Sequence, residues 1–133
     1  MRSAELRDKR KLMRVVVVGA LYGALGVGLG AIGAHALDAN FVPQNKETFD
    51  TAVFYLILHA VAMVAIGGLK GHVIPALLGA ASWAFGLGVL LFSGSLFTMV
   101  LGGPAEAAYV TPVGGILLLL GWLITAVAAA RRI

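Results

Sequence analysis

The placement of Lys and Arg constrains this chain more than any other feature. Four long apolar stretches divide it, and all but one of its ten basic residues fall on one side of them. Arg2, Arg7, Lys9, Arg10, Lys11 and Arg14 precede the first stretch, Lys70 lies between the second and third, and Arg131 and Arg132 follow the fourth. Only Lys46 stands on the other side. Because Lys and Arg accumulate in cytoplasmic segments, this pattern predicts an all-α membrane protein. The expected architecture is a four-span, up-down-up-down transmembrane helix bundle with both termini cytoplasmic.

Composition agrees. Apolar residues make up 60% of the 133 positions and charged residues 12%, about half the share usual in a soluble domain. The formal charge of +4 does not point to nucleic acid, because the basic residues hug span ends. There Arg10, Lys11, Arg14, Arg131 and Arg132 are placed to meet anionic lipid headgroups, at about 1 kcal/mol each. The chain has no cysteine, which excludes disulfides, thiolate metal sites and thiol catalysis. A basic start, an apolar run and Ala34-His35-Ala36 resemble a signal peptide with its cleavage site. The run from Val15 to Ala34 is, however, longer than the roughly 7–15 residues of a signal core. The first span is expected to be retained.

The chain divides into a basic cytoplasmic segment, 1–14, and one transmembrane domain, 15–133. Span one covers roughly Val15–Leu37 and is rich in glycine. Gly19, Gly23, Gly26, Gly30 and Ala34 line up at small-x-x-x-small spacing, which lets helix backbones approach closely. The outer loop 38–50 follows, with Pro43 suited to a first helical turn and Glu47 and Asp50 suited to a helix N-terminus. Span two covers about Thr51–Leu69, with a helical extension back toward Pro43 as an option, and Gly67, Gly68 and Gly71 form a tight turn around Lys70. Span three starts near Val73, and its apolar pattern reaches Leu101. As one helix that is about 43 Å, so it must tilt, project from the bilayer or break at Ser93-Gly94-Ser95. Thr111 is expected as an N-cap with Pro112 at the first helical position, opening span four at 112–130. Gly114 and Gly115 are packing candidates there, and Trp122 falls mid-span as a packing residue. The segment 1–14 fits either a short cytoplasmic helix that continues span one and lies on the headgroups or a docking element.

No Asp, Glu, Lys or Arg lies in the middle of any span. Intramembrane ionisable groups mark ion and proton pathways, so a small proton-coupled exporter is disfavoured. The polar residues that remain fall near one depth. His35 ends span one with Asp38 a turn beyond, His59 lies about 12 Å inward, and Ser93, Ser95 and Thr111 return to the outer side. Together they form a candidate outer-leaflet polar cluster, with His35 and His59 as a candidate proton-sensitive pair. The competing interpretation is structural: interhelical hydrogen bonds from the histidines, and serines that permit close packing and bond back to the preceding turn. Metal or haem ligation is disfavoured by the unequal depths of the two histidines and by the lack of a third ligand at helical spacing. No cofactor is expected. Gly28-x-Gly30-x-x-Gly33 completes a dinucleotide-type pattern, but no strand precedes it, so close helix packing explains it better.

Four ordered motifs carry a family resemblance. Gly30-Ala31-Ile32-Gly33-Ala34-His35-Ala36-Leu37 resembles the GAFGAHGL signature of the YgdD-like membrane proteins, domain-of-unknown-function family 423. Thr51-Ala52-Val53-x-Tyr55 with His59-Ala60 resembles that family's second-span motif. Phe92-Ser93-Gly94-Ser95-Leu96 and Thr111-Pro112-Val113-Gly114-Gly115, with Gly121-Trp122, resemble its later ones. The resemblance implies a small four-span protein of the bacterial inner membrane without an established activity. Ile32, Leu56 and Leu58 depart from the family pattern and make the second span more apolar, which weakens the case for a hydrated pore.

The expected function is therefore that of a non-enzymatic integral membrane protein, an accessory or structural component packing with a larger complex or with copies of itself. Replacing Gly23 or Gly30 by Leu is expected to disrupt that assembly. The alternative is transport or sensing of a solute, lipid or proton through the outer His/Ser cluster. A hydrolase is disfavoured, because no acid lies at depth to orient a histidine and no G-x-S-x-G elbow occurs. No catalytic residue is assigned.

Overall fold

The computed structural model describes residues 2–35, 42–69 and 71–131, leaving aside the side chains of Arg2, Asp8 and Leu12. Four α-helices follow one another: α1 (Arg2–His35), α2 (Pro43–Gly68), α3 (Pro75–Val100) and α4 (Ala107–Ala130). Each is long and apolar enough to cross a membrane, with mean hydropathies of 2.2, 2.0, 1.8 and 2.3. The shortest, 24 residues, spans about 36 Å at 1.5 Å per residue. Glycine-rich α1 stays helical because a backbone in lipid has no other way to satisfy its polar groups.

Contacts between neighbours fix their direction. Along α1 and α2, Gly19 meets Met63, Gly26 meets Ile57 and Gly33 meets Phe49. Along α3 and α4, Phe85 meets Gly121, Gly88 meets Leu118 and Phe92 meets Gly114. As residue numbers rise on one helix they fall on its partner, so the helices of each pair run antiparallel. Between α2 and α3 the Phe49–Phe97 and His59–Phe85 contacts give the same sense. The inner helices are α2 and α3, each 44% buried over its most apolar window, against 11% for α1 and 22% for α4. Among the described residues α1 packs broadly on α2 and thinly on α3, and makes no broad contact with α4. The core runs through Leu56, Met63, Ile66, Leu78, Phe85, Val89 and Leu118.

The glycine seam of α1 is spent inside the chain. A Cβ on Gly26 or Gly33 would stand 2.5 Å from the Ile57 or Phe49 side chain, and one on Gly30 3.4 Å from Val53. Gly23, where a Cβ would stand 3.7 Å from Ala60, and Gly30 both face α2 of the same chain. Ala34 is exposed and lies off the seam. On α4, Gly114 admits the Phe92 backbone and Gly115 lies beside the Phe92 ring.

Some boundaries agree with expectation and others differ. Residues 2–14 continue α1 without interruption, one of the two options for that segment. The expected end of span one at Leu37 lies outside the described residues. Helix α2 begins at Pro43, the option of an extended second span. Helix α3 passes unbroken through Ser93-Gly94-Ser95 and starts with Pro75 in its first turn. The start of α4 is the clearest correction: the helix begins at Ala107, more than a turn before Thr111, and Pro112 lies inside it. Thr111 is therefore no N-cap. Pro112 forfeits one helical hydrogen bond, and the Thr111 hydroxyl turns to a neighbouring helix. Before that, α3 ends in a Schellman motif, with Gly103 N–H donating to Thr98 O at 2.8 Å and Gly102 N–H to Met99 O at 3.3 Å. Gly102 supplies the left-handed φ of 80° this ending requires.

Candidate functional site

The polar side chains inside the bundle do not pool into one cluster; they form clasps between particular helices. At mid-height, all four helices contribute. The Nδ1–H of His59 donates to the Tyr55 carbonyl at 2.8 Å, one turn back on α2. Its Nε2 accepts the indole N–H of Trp122 on α4 at 3.1 Å. An imidazole that donates through Nδ1 and accepts through Nε2 is the neutral ring in a single tautomer. His59 is 2% exposed and enclosed by the rings of Tyr55, Phe85 and Trp122 at centroid distances of 5.8, 5.6 and 6.0 Å. Beside this layer Tyr22 of α1 donates its hydroxyl to the Gly86 carbonyl of α3 at 3.0 Å.

Nearer the expected outer end, Ser93 donates to the Ala52 carbonyl at 2.9 Å and so joins α3 to α2. Ser95 donates to the Phe92 carbonyl at 2.9 Å and meets the Thr111 hydroxyl at 2.7 Å, joining α3 to α4. Phe49 and Phe97 close this level edge to face, with centroids 5.3 Å apart. Ser82, Thr98 and Thr125 bond back to the carbonyl four residues earlier, the local habit of hydroxyls in helices.

Of the six residues of the expected cluster, the structure brings Ser95 and Thr111 together and leaves Ser93 and His59 on separate clasps. His35 is exposed at the end of α1. His59 is level with the Gly23–Gly26 turn of that helix, judged by the Ala60 and Ile57 contacts, so His35 lies about 16 Å farther along. The two histidines do not form a pair. Asp38 lies outside the described residues. Among those described, no three His, Asp or Glu side chains come together in a way that could hold a metal.

Charged groups stay at the ends. Because consecutive helices alternate in direction, the exposed Arg10, Lys11 and Arg14 share one end of the bundle with Arg131, while Arg132 lies outside the described residues. At the other end Lys46 pairs with Asp50 at 2.9 Å.

Sequence reasoning missed the partners. Tyr22 and Trp122 carry donors within apolar stretches, and such donors seek an acceptor when buried in lipid or protein. That requirement was the available signal. Which acceptor each would find depends on helix rotation, which one sequence does not encode visibly.

Comparison with known proteins places the chain among relatives. The profile of a family described as "Protein of unknown function (DUF423)" matches residues 29–115. A UPF0382 membrane protein of Staphylococcus aureus is 32% identical, over 87% of this chain and 94% of its own length. A UPF0382 membrane protein of Haemophilus influenzae is 35% identical, over 86% and 90%. The UPF0382 inner membrane protein YgdD of Escherichia coli is 32% identical, over 88% and 89%. No solved structure matches the chain.

Proposed function

The chain belongs to the DUF423 family of membrane proteins, and on that footing we propose that it is a non-catalytic component of the bacterial inner membrane. It crosses the bilayer four times with both termini cytoplasmic, and its task is to pack with a partner or with copies of itself. The inner-membrane placement is supported by the name of the Escherichia coli relative. The orientation is supported by the gathering of Arg10, Lys11, Arg14 and Arg131 at one end, the side on which Lys and Arg accumulate.

One observation carries the reading. Among the described residues, no buried side-chain nitrogen or oxygen lacks a hydrogen-bond partner. His59 uses both ring nitrogens within the bundle, and the serine hydroxyls bond to carbonyls. A solute or proton path needs polar groups that can exchange partners, and a nucleophilic serine needs a base beside it. Here the interior polar groups hold helices together, which leaves the outer faces to make contacts. The test is extraction of the protein at native abundance in mild detergent, followed by native gel and mass spectrometry. Migration in an assembly larger than one chain is expected; a lone monomer that resists cross-linking in intact membranes would overturn the proposal.

A further inference from the structure

The packing faces of α1 are unequal. One carries the glycine seam against α2, and Tyr22 ties the adjoining side to α3. A third face, turned away from both, carries Leu6, Met13, Val17, Ala20, Ala24 and Ala31 at three-, four- and seven-residue spacing, all exposed. These positions recur on one side of a helix. The face is continuous because α1 is one helix from Arg2 to His35.

Two properties of this face narrow what covers it. First, it crosses the membrane boundary. Within the apolar part Ala20, Ala24 and Ala31 let a neighbouring backbone approach, flanked by the exposed Val17 and Val27. Beyond Arg14 it continues as Met13 and Leu6, which are 60% and 51% exposed. Leu6 lies about 13 Å past Val15 at 1.5 Å per residue, farther than a headgroup layer roughly 5–8 Å deep. Lipid chains can cover Ala20–Ala31, but they do not reach Leu6. Second, the face has a basic rim where it leaves the membrane, Arg14 and Arg10 lying about 2 and 8 Å past Val15. Lys9, Arg10 and Arg14 border a shallow hollow over Leu6, Met13 and Val17. Lys9 is paired with Glu5 at 3.0 Å, whereas Arg10 and Arg14 make no ion pair among the described residues. A second copy of the chain, parallel in the membrane, would bring Arg10 against its own counterpart in this seam and Lys9 near Arg14. Like charges at such positions repel.

We propose that this face of α1 seats a helix of a different membrane protein, one that crosses the bilayer alongside α1 and continues beyond it as an acidic segment. The inference rests on the reading of the protein as a packing component and names the kind of partner.

The test places a photoreactive benzoylphenylalanine at Leu6 or Val17 of the full chain, with Trp83 on α3 as an exposed control, and irradiates intact membranes. Leu6 and Val17 are expected to give an adduct with one and the same foreign polypeptide, and Trp83 not. Mass spectrometry of the adduct should place the contact on a membrane helix flanked by Asp or Glu. Combining Arg10→Gln with Arg14→Gln should lower the adduct roughly fivefold at unchanged abundance, the weight of two lost rim charges. Adducts with lipid alone, with a second copy, or with a helix lacking acidic residues would overturn the proposal. If the extracted protein is part of a larger assembly but neither probe reaches a protein, this inference fails and the packing function stands. If the protein is also a lone monomer, both fail.

Discussion

Ser95 and Thr111 share a 2.7 Å hydroxyl–hydroxyl hydrogen bond that ties the last turns of α3 to the beginning of α4. The Ser95 proton is committed to the Phe92 carbonyl, so Thr111 is the donor of the pair. The bond explains why a threonine placed before a proline does not cap its helix. Ser95→Ala and Thr111→Val should each destabilise the protein, with a coupling of about 0.6–1.7 kcal/mol in a double-mutant cycle. Reversible unfolding in bicelles measures it; independent, additive losses would mean the two hydroxyls do not share a bond.

Glycines with close neighbours should separate from glycines in open space. A side chain on Gly114 would meet the Phe92 backbone, while one on Gly79 meets nothing within 4 Å. Gly114→Ala is expected to cost about 1–3 kcal/mol by forcing α3 and α4 apart. Gly79→Ala should be neutral or gain up to about 1 kcal/mol from helix propensity. Unfolding midpoints of the two variants, measured side by side, decide the matter.

Tyr22 is the polar clasp between α1 and α3. Tyr22→Phe keeps the ring and removes the hydroxyl, so the expected loss is about 1 kcal/mol. Because α1 is held mainly by α2, the loss should show as faster hydrogen exchange along α1 while α3 and α4 keep their protection. Equal loosening of all four helices would contradict this local assignment.

Orientation can be read with single cysteines, since the chain has none. In intact cells whose outer envelope is opened, a membrane-impermeant maleimide should label Glu106→Cys at once. Arg131→Cys should be labelled only after the membrane itself is permeabilised. The opposite order would invert the bundle.

Much of the architecture was readable because membrane helices announce themselves by length and hydropathy, and Pro43 marks the start of α2 through a simple backbone rule. Pro112 misled for the same reason: its preference for a first turn is real, but α4 tolerates it inside because the Thr111 and Gly114 contacts with α3 hold that stretch in place. The site was less legible. His59, Ser93, Ser95 and Thr111 were all recognisable as polar residues that must find partners. Whether they would find one another or the carbonyls of Tyr55, Phe92 and Ala52 depended on how each helix is rotated. The candidate pairing of His35 with His59, left open by the sequence, fails on depth alone, since the α1–α2 register sets His59 opposite the Gly23–Gly26 turn.

The claim that the interior polar groups are structural is tested most directly at His59. In a strain with a phenotype for loss of this protein, His59→Leu and Trp122→Phe should each lower membrane abundance and unfolding midpoint, and function should fall only as far as abundance does. His59→Leu with wild-type abundance and stability but abolished function would contradict the account and make that histidine the working group of a solute or proton path.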